Sequence, residues 1–441
     1  MRVLQASAWY PPQHYGGTEV YVSGLVRELR QQSVSSSIVK PSVSDMDDAH
    51  EFEGSVVRTY SVNDHPSRAE LRGDMPHKGF RRFQELLLEE NPDVYHQHSW
   101  TRGLGYAHLH AARAIGLKTV LSVHVPSPIC LRGTMMRFGN EACDGRIDPP
   151  ACGACWAHSR GAPKSIARVL GALPVSDMFL GRLPEFGPSN RVLTALSARA
   201  LGDRRKEEFG RMIADADRVV AVCGWLFDAL RENGVPSEKL VLNRHGVDGD
   251  FALQVAGKTK ERAADGQFRL LYLGRWDRGK GIDIVVRAVR KISKDVPLTL
   301  CIHGVDQNVE ERNYKQEVAL LAGRDPRITI EPAVPREHLA RTLAEADALV
   351  VPSQWLETGP LVVLEAKAAG VPIIGSRLGG IAELVSEPED GILVPASDVK
   401  AWSRAIKEMM KRKPRRRGAA SNVRTMSQVA SEMAELYRSL H

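Results

Sequence analysis

No stretch of about 18 consecutive apolar residues occurs in the chain of 441 residues, which excludes a membrane-spanning helix. The N-terminal MRVLQASAWYPP is too short and too mixed in polarity for a secretory signal peptide; a first strand is expected there, and a cytoplasmic protein follows. Aromatic residues are few, and none interrupts the one concentrated basic run, KRKPRRRG at 411–418, so nucleic acid is not an expected partner. That run carries much of the net charge of +7. It reads either as a solvated loop or as a patch drawn to an anionic membrane face, where each basic residue adds roughly 1 kcal/mol. In the second case the protein sits peripherally on the inner face of the membrane. Also missing are an Asp-x-Asp element suited to holding a catalytic cation and any evident nucleophile.

What is present is a length natural for two domains. Strand-length apolar runs alternate with amphipathic stretches of helix length. RVLQASA, DVYHQHS, KTVLSVHV, RVVAVC and KLVLNRHG read as strands buried on both faces of a parallel sheet, since most are continuous and not alternating. TEVYVSGLVRELRQQ has helical spacing. The pattern lapses over 249–266, which reads as a linker, and restarts with FRLLYLG, IDIVVRAVRKI, LTLCIHG, YKQEVALLAG, ITIEPAV, EHLARTLAEA, ALVVPS, GPLVVLEAKAAG and PIIGS. Two successive doubly wound, Rossmann-like α/β domains are expected, 1–248 and 267–414, with a basic loop and last helix over 415–441. Residues 126–205 stand apart as an insertion rich in Cys, Pro, Gly and Arg, followed by a helix around 191–215.

The stretch PSQWLETGPLVVLEAKAAGVPIIGSRLGG at 352–380 holds two glutamates separated by seven residues, Glu357 and Glu365. Gly359-Pro360 begins a helix, with Pro in the first turn where its missing N–H costs nothing; just after a strand, this helix start presents free backbone amides, an anion site at the carboxyl end of a sheet. Glu357 reads alternatively as an exposed loop carboxylate. Glu365 reads alternatively as a helix-surface residue, a reading weakened by Val362, Val363, Leu364, Ala366, Ala368 and Ala369 around it, because a buried carboxylate needs a polar partner. A second anion site is suggested by YLGRWDRGKG, where Arg275 and Lys280 leave a strand-to-helix turn. Gly16 and Gly17 in the first strand–helix loop permit positive φ or close approach of a ligand. His124 ends the strand TVLSVHV and is either structural or catalytic.

Cys130, Cys143, Cys152 and Cys155 fall within the insertion directly after His124. In a cytoplasmic chain such a cluster is more often metal-binding than a disulfide framework. The CGAC pair has the spacing that lets two thiolates reach one tetrahedral ion, with Gly153 easing the turn. One structural Zn²⁺ is the sharper expectation; two disulfides or four unrelated thiols are the alternatives. Cys223 and Cys301 read as ordinary buried thiols.

Taken in order, Gly16-Gly17 with Glu19, DVYHQHS, His124, RHGVD at 244–248, GRWDRGKG, VPSQWLETGPLVVLEAKAAGVPII and GGIAELV resemble the retaining nucleotide-sugar glycosyltransferases of family 4. The resemblance implies the GT-B fold, two Rossmann-like domains facing across a cleft, with the last helix packing back on the N-terminal domain. It implies a UDP- or GDP-sugar donor and a carbohydrate or lipid-linked acceptor in polysaccharide or glycolipid synthesis. Arg275 and Lys280 would neutralise the donor diphosphate, and amides from Gly359 to Val362 would hold phosphate or sugar oxygens. Glu357 would face sugar hydroxyls, Glu365 the ribose, and His124 the sugar, while the Gly16-Gly17 loop would let a phosphate or the acceptor approach. No cofactor is expected for catalysis. Two departures stand out: the usual Gly-His pair after the first helix is replaced by LRQQSVSSSIV, and the insertion is long. A nucleotide-sugar epimerase and a catalytically silent binding subunit are the rival classes.

Overall fold

The structure, a computed structural model, describes residues 1–12, 16–44, 48–65, 67, 70, 75–101, 103–175, 195–255, 265–412 and 423–441. The chain divides into two compact units, Met1–Arg244 with Ser427–His441, and His245–Met426. The division falls between Arg244 and His245, ahead of the segment read as a linker. Part of that segment, Gly249–Val255, is a helix whose Phe251 and Val255 are buried against Ala340 and Leu343. Hydrophobic burial therefore overrides its polar composition.

The first unit is built on strands β1 (Arg2–Ala6), β2 (Ser35–Ser42), β3 (Ala49–Phe52), β4 (Ser55–Ser61), β5 (Val94–Gln97), β6 (Lys118–Val123), β9 (Arg218–Ala221) and β10 (Leu240–Leu242). They form one sheet of eight strands in the order β10-β9-β6-β5-β1-β2-β4-β3. All pairs are parallel except β3 with β4. Strands β1, β5 and β6 are buried almost along their whole length, as continuous apolar runs require. The chain leaves β1 toward β2 and later returns to the other side of β1 as β5. The carboxyl ends of β1 and β5 thus flank the point where strand order reverses, the usual ligand crevice of such sheets. Helix α1 (Gly17–Gln31) follows β1, α2 (Phe80–Glu90) precedes β5 and α3 (Tyr106–Ala114) precedes β6.

The insertion is more ordered than its composition suggests. It contains the small hairpin β7 (Met136–Arg137) and β8 (Glu141–Ala142), and helices α4 (Pro149–Ser159) and α5 (Lys164–Ala172), and runs into α6 (Ala198–Asp215). These three helices pack through small residues. A Cβ on Gly153 would lie 2.4 Å from the Ala198 carbonyl oxygen, and one on Gly202 would lie 2.5 Å from that of Pro149. Gly153 thus sits inside a helix, at a close crossing, and eases no turn. Ala157, Ala167 and Ala198 form the core of this cluster. Residues 176–194 of the insertion, including the expected start of its helix, lie outside the described residues. Helix α7 (Gly224–Glu232) connects β9 to β10.

The second unit begins with α8, the Gly249–Val255 helix, and carries strands β11 (Phe268–Arg275), β12 (Leu298–Val305), β13 (Ile328–Glu331), β14 (Ala348–Val351), β15 (Ile373–Ser376) and β16 (Gly391–Val394). The sheet has six parallel strands in the order β13-β12-β11-β14-β15-β16. Its reversal point lies between β11 and β14. Alternate residues of β11 serve opposite faces: Leu270 and Tyr272 enter one core, Leu271 the other. Helices α9 (Ile282–Arg290), α10 (Val309–Ala322), α11 (Leu339–Glu345), α12 (Leu361–Ala368), α13 (Gly379–Leu384) and α14 (Val399–Lys411) complete the unit. Residues 413–422, most of the basic run, lie outside the described residues. Among the described residues no helix is long and apolar enough to cross a membrane.

The last helix, α15 (Met426–Arg438), belongs from Ser427 onward to the first unit. Val429, Ala430, Met433, Ala434 and Tyr437 on it are fully buried. At roughly 1.5–3 kcal/mol per large apolar side chain, their loss is comparable to the total stability of an ordinary domain. Deleting residues 427–441 is expected to raise amide exchange in β1 and β5 while leaving β11 and β14 protected. Hydrogen-exchange mass spectrometry checks this, and unchanged exchange in β1 would contradict it.

Candidate active site

The two turns at the reversal point of the second sheet bring the candidate residues of that unit together. The turn after β11 brings Lys280, and the turn after β14 brings Ser353, Trp355 and Glu357 before α12 begins. The Lys280 ammonium lies 2.5 Å from Glu357 Oε1, and the Ser353 hydroxyl donates to the same oxygen at 2.7 Å. Glu357 is 6% exposed, so it is no loose loop carboxylate. The indole of Trp355 lies under the Lys280 ammonium, 5.4 Å from it, and helps hold the cation in place. This joins two residues that the sequence separates by a whole half-domain.

Gly359 has φ of +137°, a region closed to side chains with a Cβ, which explains a glycine there. Its carbonyl accepts a hydrogen bond from His245 Nδ1 at 3.0 Å. Burial lowers the His245 pKa to about 4, opposed by that hydrogen bond, so the imidazole is neutral with its proton on Nδ1. Pro360 then caps α12 in extended conformation, and Leu361 and Val362 begin the helix. Their amides are the open end of the helix dipole.

Glu365 sits on α12 between the buried Leu364 and Ala366 and is itself only 8% exposed. Its carboxyl makes no hydrogen bond among the described residues. Burial raises its pKa to about 7, Arg336 pulls against that, and Asp248 adds to it. Arg336 is paired with Asp248 at 3.1 Å. A carboxyl that is buried, half-protonated near neutrality and without a donor is poised for a hydroxyl-bearing ligand. The RHGVD segment thus contributes His245 to the Gly359 turn and Asp248 beside Glu365.

Arg275 stands apart from this group. Its guanidinium faces Asp277 at 3.4 Å, Gln307 at 3.3 Å and Glu311 at 3.5 Å. The expected pairing with Lys280 on one anion is therefore not preformed; a ligand phosphate would have to draw Arg275 from these acidic neighbours. Three contributors were missed in the sequence: Ser353, Trp355 and Arg336. The signal for Arg336 was a basic residue just beyond the carboxyl end of β13.

In the first unit, His124 directly follows β6 and is 3% exposed. Its Nε2 lies 3.1 Å from His98 Nδ1, and its ring packs on Tyr21, centroids 4.6 Å apart. Neither glycine of the first loop uses positive φ: Gly16 is extended, with φ of −121°, and caps α1. A Cβ added at Gly16 would lie 2.3 Å from Glu19 Oε2, the far end of a flexible side chain that can swing aside. Gly17 has open space around it.

Four cysteines of the insertion, Cys130, Cys143, Cys152 and Cys155, carry the zinc expectation. All four are free thiols. Cys155 Sγ accepts from the Phe138 amide at 3.3 Å and from Arg132 at 3.6 Å. Cys143 lies against Asp144, and Cys152 Sγ is 4.0 Å from the Arg146 carbonyl. Burial raises the Cys143 pKa and pushes Cys152 up to about 12, and Cys130 adds to the rise of both. Among the described residues no group of three or more His, Cys, Asp or Glu is arranged to hold a metal ion. The helix crossings at Gly153 and Gly202 pack the helices of the insertion together. Of the remaining two cysteines, Cys223 is buried and Cys301 is partly exposed.

Comparison with known proteins agrees with this geometry. The family model for the glycosyl transferase 4-like domain matches residues 16–246, more than half of the chain, and that for glycosyl transferases group 1 matches residues 256–426. Neither is a family of epimerases. A D-inositol 3-phosphate glycosyltransferase of Paenarthrobacter aurescens (strain TC1) is 25% identical over 412 residues, covering 89% of this chain and 84% of the relative. Another, from Arthrobacter sp. (strain FB24), is 31% identical over 147 residues, a third of each chain. Among solved structures, sucrose-phosphate synthase from Thermosynechococcus elongatus superposes with TM-score 0.66 at 18% identity, covering 100% of this chain and 98% of that one. Anabaena HepE, solved with UDP and glucose, gives 0.62 at 15% identity, covering 99% of each. These two likenesses speak for the fold alone. The chain belongs to the family-4 glycosyltransferases and has their GT-B fold, two Rossmann-like units each built on its own largely parallel sheet.

Proposed function

We propose that the protein transfers a hexose from a nucleoside-diphosphate sugar to an acceptor hydroxyl with retention of configuration, and that the second unit holds the donor. The observation that carries this is the contiguity of Lys280, Glu357 and Ser353 with the α12 amides and, deeper on the same helix, the donorless Glu365. Ribose hydroxyls would donate to Glu365, and the diphosphate would lie over Leu361 and Val362 with Lys280 shared between it and Glu357. Arg275 would join by leaving Asp277 and Glu311. Glu357 would then accept from sugar hydroxyls.

As the glycosidic bond to phosphate breaks, negative charge grows on the phosphate and positive charge on the sugar ring. Lys280 and the helix dipole are already aimed at the first of these, at no cost of reorganisation. The leaving phosphate oxygen takes the proton from the acceptor hydroxyl as it attacks the same face, which yields retention without a protein nucleophile. His124, in the first unit, serves the transfer. A uridine donor is supported by neighbours whose structures were solved with UDP-glucose and UDP-2-fluoro glucose. The acceptor is assigned to the carbohydrate or lipid-linked class, in polysaccharide or glycolipid synthesis; the names of the sequence relatives add a phosphorylated polyol to the panel worth testing.

The reading is tested by thermal shift against UDP, GDP and ADP, followed by transfer from the stabilising donor to an acceptor panel. A ligand at about 100 times its Kd stabilises by about 2.7 kcal/mol, a readily measured shift. Transfer is expected to persist in excess EDTA, because Lys280 and the amides take the place of a cation. Loss of activity in EDTA with the fold intact, restored by Mg²⁺ or Mn²⁺, would contradict the mechanism.

A further inference from the structure

Behind His124 the first unit buries a continuous chain of polar side chains that the transfer reaction does not itself use. His98 is 1% exposed, and His96, Gln5 and Tyr437 are fully buried. His98 Nδ1 meets His124 Nε2 at 3.1 Å, and His98 Nε2 meets Gln5 Oε1 at 2.7 Å. The Gln5 amide nitrogen reaches Tyr437 Oη at 3.5 Å, Tyr437 meets His96 Nδ1 at 2.6 Å, and His96 Nε2 meets Ser122 Oγ at 2.8 Å. A buried polar network of this kind can take only those proton arrangements in which every contact has one donor and one acceptor.

That condition fixes the protons. Burial drives His98 and His96 well below the usual histidine range, so each ring is neutral and carries one proton. Gln5 Oε1 accepts only, so the His98 proton is on Nε2 and its Nδ1 is an acceptor. The facing His124 Nε2 must then be the donor. On the other branch the Gln5 amide donates to Tyr437, the phenol donates to His96 Nδ1, and His96 donates to Ser122. Every contact is satisfied, and the order of donors runs in one direction without conflict, from His124 through His98, Gln5, Tyr437 and His96 to Ser122.

We propose that His98 is a positioning residue for His124: through Gln5 it holds the His124 imidazole in one orientation and as the Nε2–H tautomer. The C-terminal helix, through Tyr437, completes the network that holds Gln5 in place. The proposal rests on the reading that His124 serves the transfer. It explains why two histidines at alternate positions of one strand end, His96 and His98, are both buried on the sheet's interior beside the last helix.

The experiment is long-range ¹H–¹⁵N NMR of histidine-labelled protein, with His124 assigned by its absence in His124→Gln, combined with transfer kinetics. The wild type is expected to show His124 protonated on Nε2 alone. His98→Ala is expected to give a mixture of His124 tautomers and to lower kcat about tenfold to a hundredfold, as small misplacements in active sites do, with KM for the donor within about twofold. His98→Asn, which can place an acceptor where Nδ1 was, is expected to recover the single tautomer and most of the lost kcat. Should His98→Ala fail to fold, Gln5→Met removes the acceptor that sets His98 and is read the same way. A wild-type His124 protonated on Nδ1, or a tautomer unchanged in His98→Ala, overturns the relay. Undiminished transfer by His124→Ala overturns the role of His124 in the reaction, and the positioning role with it, even where the tautomer is as stated.

Discussion

Glu365→Gln is expected to stabilise the ligand-free protein at pH 8 by on the order of 3 kcal/mol and, at the same pH, to lower transfer about tenfold to a hundredfold. The two effects have one cause. Burial raises the Glu365 pKa from 4.5 to about 7. Below the unfolded value both states of the chain bind the proton, and the residue is neutral in the balance. Between about 4.5 and 7 the unfolded chain has released the proton while the folded one still holds it, so stability falls as pH rises. Above about 7 the whole cost is present, at about 1.4 kcal/mol for each tenfold difference in proton affinity between the folded and unfolded chain. Glutamine removes that cost and keeps the shape. It also removes the charge-assisted hydrogen bond to ribose, a bond worth roughly 1.5–3 kcal/mol. Thermal denaturation at pH 4 and pH 8 separates the cases: no difference from wild type at pH 4, a higher melting temperature at pH 8. A variant less stable than wild type at pH 8 would mean that Arg336 compensates the carboxylate fully.

Lys280→Ala is expected to lower transfer by about 10²–10³-fold, the range for removing one preorganised donor from a developing oxyanion. It is also expected to destabilise the second unit by roughly 1.5–3 kcal/mol, because the buried Glu357 carboxylate loses its cation. The double variant Lys280→Ala with Glu357→Gln distinguishes the two roles. It should recover most of the stability, since no unpaired buried charge remains, and none of the transfer. Melting temperatures and single-turnover rates of the three variants check this. Recovery of transfer in the double variant would show that Lys280 acts only as the counterion of Glu357.

Much of the second unit was legible because its signals are local. FRLLYLG, ALVVPS and PIIGS are short apolar runs closed by turns, and each is a strand of the sheet. The Glu-x7-Glu spacing put Glu357 ahead of α12 and Glu365 within it, and an apolar neighbourhood foretold the burial of Glu365. In the first unit β2 went unseen, because SSSIVKPS reads as a polar loop until β1 and β4 are known to pair with it. In the insertion, cysteine spacing drew the eye, while the packing of its helices through alanine and glycine is a pattern too plain to stand out in sequence. Partners set by tertiary contact could not be read at all: Arg275 with Glu311, Arg336 with Asp248, and Tyr437 with His96 lie far apart in the chain or join opposite ends of it. The family resemblance supplied roles for residues, and the structure supplied what each of them touches.

The central claim is that the second unit binds a nucleoside diphosphate without a metal, through Lys280 and Glu365. The most direct measurement is isothermal titration calorimetry of UDP into the full chain in excess EDTA, repeated with Glu365→Gln and Lys280→Ala. The account requires one site per chain in the wild type and binding weakened about tenfold or more by each substitution. Absence of binding to UDP and to GDP alike, or binding left unchanged by both substitutions in folded protein, would contradict it.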